Sequence, residues 1–300
     1  MKVPRVFWYL GTAVAIAAIL YVARSVYSQE EQLRVILFEP KFAISVFVAA
    51  VLYAAILELV GFAWFVLLSS VGDRGITPFL ALRIFARTQI YKYLPTNIIH
   101  MVGRFVIAAR YGAKKSMLSY AQFMEIVLMI VSATAIALIF SFSFVLKTVE
   151  PYGITRNMTI SIYILGCLAV IILVLLLVTG HFKQTTGRAI VCLVIVFACY
   201  AAFFIFNGLI VSALVYLVSG LTVDFKVIVG VASAGWLLGF IVPGAPGGLG
   251  VREAVIIAGL SVIGIAPAAA AAVAVAHRLV TILADGLLFA IEFGYRKFAE

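Results

Sequence analysis

The chain has 300 residues, 65% hydrophobic and only 11% charged, with a mean hydropathy of +1.21. Soluble domains carry about a quarter charged residues, so this composition excludes an ordinary soluble fold and points to a polytopic membrane protein. The net charge of +10 then bears on topology rather than on nucleic acid, because basic residues beside the spans set their orientation.

A helix crosses the hydrocarbon core with about 20 apolar residues. In chain order, 7–27 and 42–71 qualify as the first two spans. Segment 76–112 is also apolar but is interrupted by Pro95 and polar neighbours, which predicts two half-length helices turning back as a re-entrant hairpin. Spans follow at 120–146, 158–180 and 188–218. Segment 225–265 is broken around Pro243 and Pro246 and predicts a second hairpin, and 267–295 is the sixth span. The expected fold class is all-α: six transmembrane helices and two re-entrant helical hairpins forming one membrane domain.

With the N-terminus in the cytoplasm, fourteen of the 22 Lys and Arg fall on that side and six, Arg24, Arg34, Lys41, Lys147, Arg156 and Lys226, on the other. This asymmetry obeys the positive-inside rule and predicts both termini cytoplasmic in a multi-pass cell membrane protein. The first 28 residues also have the basic start, apolar core and small residues of a signal peptide. The run is long for such a core, and the repeat described next needs it as a retained span.

Pro95 precedes Arg104 by nine residues and Pro243 precedes Arg252 by nine, a shared offset of 148. The same offset carries 7–27, 42–71 and 120–146 onto the fourth, fifth and sixth spans, so residues 1–150 and 151–300 each read span, span, hairpin, span. Three crossings per half, an odd number, make the second half inverted. The hairpin tips are then expected to meet near the midplane, where such repeats hold their substrates.

The second tip, Pro243 to Gly250, frees backbone N–H groups at Gly247, Gly248 and Gly250 and leads into a half-helix whose N-terminus attracts anions. Arg252 follows and can bond a phosphate or carboxylate, or simply pair with Glu253. A nucleotide cradle is rejected because the loop lacks the Lys-Ser/Thr ending of a P-loop. Arg83, Arg87, Lys92, Asn97, His100 and Arg104 make the first hairpin a basic vestibule for an anionic headgroup, or alternatively a set of side chains snorkelling to the interface. Within spans, ionisable groups face cavities or partners. Glu58, Glu125, Glu253 and Asp285 are candidates for balancing the arginines or coupling a proton, Glu58 with Arg104 or Arg252 as possible partners. Arg278 and Asp285 share one face of the last span, and Arg278 can pair with Asp285 or Glu253. The three cysteines, Cys167, Cys192 and Cys199, lie apart in apolar runs, so neither a disulfide framework nor a metal site is expected, and no cofactor is implied.

PGGLGVRE, Pro246 to Glu253, resembles the signature of the lysylphosphatidylglycerol synthase transmembrane family, the flippase-like domain family. KYLPTNIIHMVGR, Lys92 to Arg104, is similar to the same family's first tip, with Thr96 where glycine is commoner, and His277-Arg278-Leu279 resembles its last-span arginine step. The resemblance implies a bacterial or archaeal inner-membrane domain that moves or presents anionic lipids or polyprenyl-linked sugars. It does not carry the synthase name over, since no soluble aminoacyltransferase domain is seen in this sequence.

The leading expectation is a lipid translocase in which Arg104, Arg252 and Arg278, with Asn97, His100 and the glycines of the second tip, hold an anionic phospholipid or polyprenyl-phosphate headgroup. The alternative is a membrane enzyme or enzyme subunit making glycosyl or aminoacyl lipids, for which Glu30, Glu31, Glu39, Glu150 and Asp224 are the loop acids available. A noncatalytic partner of a lipid-biosynthetic enzyme is the third reading. Convergence of the three arginines on a cavity favours transport, whereas pairing of each with an acid in a dry core favours a scaffold.

Overall fold

Helices form where apolar runs follow a start signal. In a computed structural model of the chain, residues 5–29, 31, 39–72, 75–94, 98–149, 155–158, 160, 161, 164, 166, 186–243 and 245–299 are described. Helix α1 spans Arg5–Tyr27 and α2 spans Pro40–Ser70. Next come α3, Pro78–Gln89, with a 3-10 turn at Ile90–Tyr93, and α4, Ile99–Arg110. They are followed by α5, Lys115–Val149, α6, Thr186–Ser219, and α7, Phe225–Ile241. A second 3-10 turn at Pro246–Gly248 leads to α8, Val251–Val262, and α9, Pro267–Ala299. The predicted fourth span, 158–180, lies mostly outside the described residues.

Proline fits the first helical turn, where its missing N–H has no partner to lose, and α2, α3 and α9 all start on one. Side-chain caps add to this: the Thr77 hydroxyl accepts from the Leu80 N–H, and the Asp224 carboxylate accepts from the Lys226 N–H.

The chain is an all-α polytopic membrane protein. Among the described residues, α2, α5, α6 and α9 are long and apolar enough to cross a bilayer. At 31 residues, α2 is about 46 Å long, more than the hydrocarbon core of about 30 Å. It must therefore tilt or reach into the headgroups.

Lipid tails are as apolar as the side chains, so the helices associate by close packing and polar contacts rather than by exclusion from water. Helices α2 and α6 lie against each other and against α9. Their shared core holds Tyr53, Leu57, Trp64, Tyr200, Phe203 and Phe204, with the fully buried Ala270–Ala274 of α9 allowing close approach. At Gly208 in α6, an added Cβ would lie 2.5 Å from the Val229 backbone of α7. No residue but glycine fits that crossing.

Helices α3 and α4 pack on each other, as do α7 and α8, so each broken segment turns back at its 3-10 turn, and the two turns touch. α3 rests on α2 and α9, while α7 rests on α6 and α5. The second arms α4 and α8 have 12 residues each, and 251 − 99 and 267 − 115 are each 152. The second tip is thus four residues longer than the first, and the sequence register of 148 holds only up to the tip. Arg104 and Arg252, aligned by sequence, stand one helical turn apart in their arms. His100 and Arg252 are each the second residue of their helices.

Candidate functional site

The second tip is shaped by glycines with left-handed backbone: φ is 59° at Gly247, 72° at Gly248 and 83° at Gly250. For a residue with a Cβ this conformation costs roughly 1–2 kcal/mol. At Gly248 there is also no room, since a Cβ would sit 2.6 Å from Arg252 Nε and 3.0 Å from the Gly239 carbonyl oxygen. The tip is braced by Glu253, whose Oε2 accepts from the Gly250 N–H at 2.6 Å. From the other side, Ile19 of α1 closes on Gly250, and Ala18 packs against Ala245 and Val251.

Between the tips lies a cavity of about 60 Å³, room for a few water molecules or one small oxyanion group in their place. The first broken segment contributes Gln89, Lys92, His100 and Arg104 to its wall, and α5 contributes Glu125. The second contributes Trp236, Gly247 and Arg252, and Tyr53 and Phe203 complete it from α2 and α6.

The charges around this cavity are mostly paired. Arg104 Nη1 donates to Glu125 Oε1 at 2.7 Å, with side chains 1% and 2% exposed. Its guanidinium lies 5.2 Å from the Trp64 ring centroid and 4.6 Å from that of Phe85, positions favourable for cation–π attraction. Asp285, fully buried, accepts from Lys92 Nζ at 2.6 Å and from the Tyr93 hydroxyl at 2.6 Å. Arg278 Nη1 donates to the Gly247 carbonyl at 3.0 Å and lies 3.4 Å from Glu253 Oε1. Arg278 also stands 5.4 Å from the Tyr93 ring, tying the two tips together through one aromatic face.

Arg252 is different. Among the described residues it forms no ion pair, its guanidinium rests 5.5 Å over Trp236, and its buried Nε has no hydrogen-bond partner. Among the described residues, Lys92, Arg104, Arg252 and Arg278 thus face three carboxylates, Glu125, Glu253 and Asp285, which leaves one positive charge over. Further buried donors without a partner among the described residues are Arg104 Nε and Arg278 Nε and Nη2. A cation held in a low-dielectric site without a counter-ion attracts an anion strongly, and of these donors the Nε–H groups of Arg104 and Arg252 belong to residues that line the cavity, where they suit an oxyanion.

The sequence-selected residues divide accordingly. Arg104, His100, Arg252, Gly247 and Glu125 line the cavity, whereas Arg278, Glu253 and Asp285 stand behind the wall and hold the tips. Asn97 lies outside the described residues. Glu58 sits in α2 with its Oε2 buried and without a hydrogen-bond partner among the described residues. It is not the partner of Arg104; Glu125 is, because α5 crosses directly behind α4. Lys92 does not snorkel to the interface, as Asp285 of α9 holds it inside. Two features escaped sequence reasoning: the Lys92–Tyr93–Asp285 cluster, and the buried pair of His277 Nε2 with Asn207 Oδ1 at 2.9 Å. For the second, the sequence signals were His277, an ionisable group within the sixth span that needs a cavity or a partner, and a lone asparagine in the 188–218 apolar run.

Compared with known proteins, the chain matches no family model, no curated protein and no solved structure at a significant level.

Proposed function

We propose that the chain is a membrane lipid translocase of the flippase-like domain family, moving an anionic phospholipid or polyprenyl-phosphate headgroup across the inner membrane while the tails stay in the bilayer. The observation that carries this reading is Arg252, a cation without a carboxylate partner among the described residues, facing a cavity where two broken helices meet. Two of the three arginines, Arg104 and Arg278, are neutralised by acids, so the reading rests on Arg252 with the paired residues as its frame.

The inverted repeat belongs to this proposal. In it, residues 1–150 and 151–300 are opposite-facing halves with both termini cytoplasmic, α3 and α4 form one re-entrant hairpin, and α7 and α8 form the other. It is supported by the reciprocal packing: the first hairpin rests on α9, the last helix of the second half, and the second hairpin rests on α5, the last helix of the first. Rocking of one half against the other exchanges the face to which the tips open. Glu58, half-buried in α2 with an Oε2 that has no hydrogen-bond partner among the described residues, is the carboxylate to which this reading assigns a proton carried in exchange.

The test is headgroup translocation in proteoliposomes containing fluorescent phosphatidylglycerol or polyprenyl-phosphate analogues. Wild-type protein accelerates movement of at least one of these, and Arg252→Ala abolishes the acceleration while remaining folded. Equal movement with wild type and Arg252→Ala, or none with wild type for any anionic lipid, overturns the proposal.

A further inference from the structure

Helix α4 has two working faces. Met101, Arg104 and Ala108 are buried, and Arg104 borders the cavity described above. The other face runs at helical spacing from Ile99 through Val102 and Val106 to Arg110, and with Arg87 and Tyr91 it lines an outward-open groove of about 390 Å³. Gly103 fixes its floor: a Cβ there would lie 2.8 Å from the Tyr91 ring, so only glycine lets that ring lie flat on α4. Val102 and Val106 are 52% and 44% exposed, a long apolar strip open to the surroundings in a protein whose surroundings are lipid.

The groove is apolar along its length and basic at one end. Arg110 is exposed at the end of α4, just before Lys114 and Lys115, and Arg87 reaches the groove from α3. Neither forms an ion pair among the described residues, although Arg83, one turn earlier on α3, is taken up by Glu292 at 3.1 Å. Two arginines lining one groove, neither in an ion pair among the described residues, suit a phosphate, basic residues at the membrane boundary attract anionic headgroups, and the apolar strip suits an acyl chain rather than any soluble anion.

We propose that this groove binds one anionic glycerophospholipid of the surrounding bilayer, its phosphate between Arg87 and Arg110 and one acyl chain along Val106 and Val102 toward the tips. Because α4 stands between groove and cavity, the site does not depend on the translocase reading.

The test uses the full chain in lipid nanodiscs with photoreactive phosphatidylglycerol or photoreactive phosphatidylcholine, and mass spectrometry of the labelled peptides. Phosphatidylglycerol labels residues 94–110, and the Arg87→Ala/Arg110→Ala variant reduces that labelling about tenfold. Val106→Trp, which fills the strip without touching a charge, reduces it too, while Arg252→Ala leaves it unchanged. The proposal is overturned if phosphatidylcholine labels the segment equally, if the double arginine variant labels as wild type, or if the segment crosslinks instead to a second copy or another part of the chain.

Discussion

Arg104 and Arg252 face the same cavity, yet their removal should have opposite consequences. Arg104→Ala leaves the Glu125 carboxylate, 2% exposed, without its cation. Breaking a buried pair by removing one partner costs about 3–5 kcal/mol, and a lone charge inside a membrane helix costs about 3 kcal/mol, so a loss near 3 kcal/mol is expected. Arg252→Ala orphans no carboxylate. It loses a cation–π contact with Trp236, 5.5 Å away, worth about 1 kcal/mol, and relieves an uncompensated charge, so its net change stays within about 1 kcal/mol. Reversible unfolding in mixed micelles reads both variants, and a double Arg104→Ala/Glu125→Ala variant should recover part of the loss, with a coupling of about 2 kcal/mol. In the translocation assay the order reverses: Arg252→Ala is inactive though stable. Equal destabilisation by the two single variants, or a stable Arg104→Ala, would refute this division between a framing and a ligand-facing arginine.

Lys92→Ala leaves fully buried Asp285 with the Tyr93 hydroxyl alone, and a destabilisation of about 3 kcal/mol is expected by the same unfolding assay, largely restored when Asp285→Asn is added. Gly248→Ala should abolish translocation by driving Arg252 aside, whereas Gly264→Ala, whose φ is +88° but whose added Cβ meets nothing within 4 Å, should cost only about 1–2 kcal/mol and keep activity. Gly208→Ala forces α6 and α7 apart at Val229, and thermal melts in detergent should show an overpacking loss of about 1–3 kcal/mol. In a cysteine-free background, Lys114→Cys should react with impermeant thiol reagents from the cytoplasmic side and Asp224→Cys from the opposite side. Labelling of both from one side contradicts the inverted arrangement.

The breaks in the two hairpin segments were legible because proline and glycine interrupt apolar runs that otherwise have helical length, and turns form near Pro95 and Pro246 as that chemistry requires. The partners of the buried charges were not, because pairing depends on which helices cross. Tyr93 and Asp285 are 192 positions apart, and no spacing rule links an arm of the first hairpin to the last helix. Sequence spacing misled in one instructive case. The shared nine-residue step from Pro95 to Arg104 and from Pro243 to Arg252 suggests equivalent arginines, but four extra residues in the glycine-rich second tip move Arg252 one turn nearer the tip, to the helix position that His100 holds in the first arm. That displacement accounts for the difference in their surroundings. Arg104 lies deep enough in its arm to meet Glu125 on α5, while Arg252, at the start of α8, lies against Gly248 and Trp236, where the described residues offer it no carboxylate. The longer, left-handed tip and the uncompensated charge are thus one structural feature: both arginines line the cavity, but the lengthened turn sets Arg252 at the start of α8, where no described residue forms an ion pair with it.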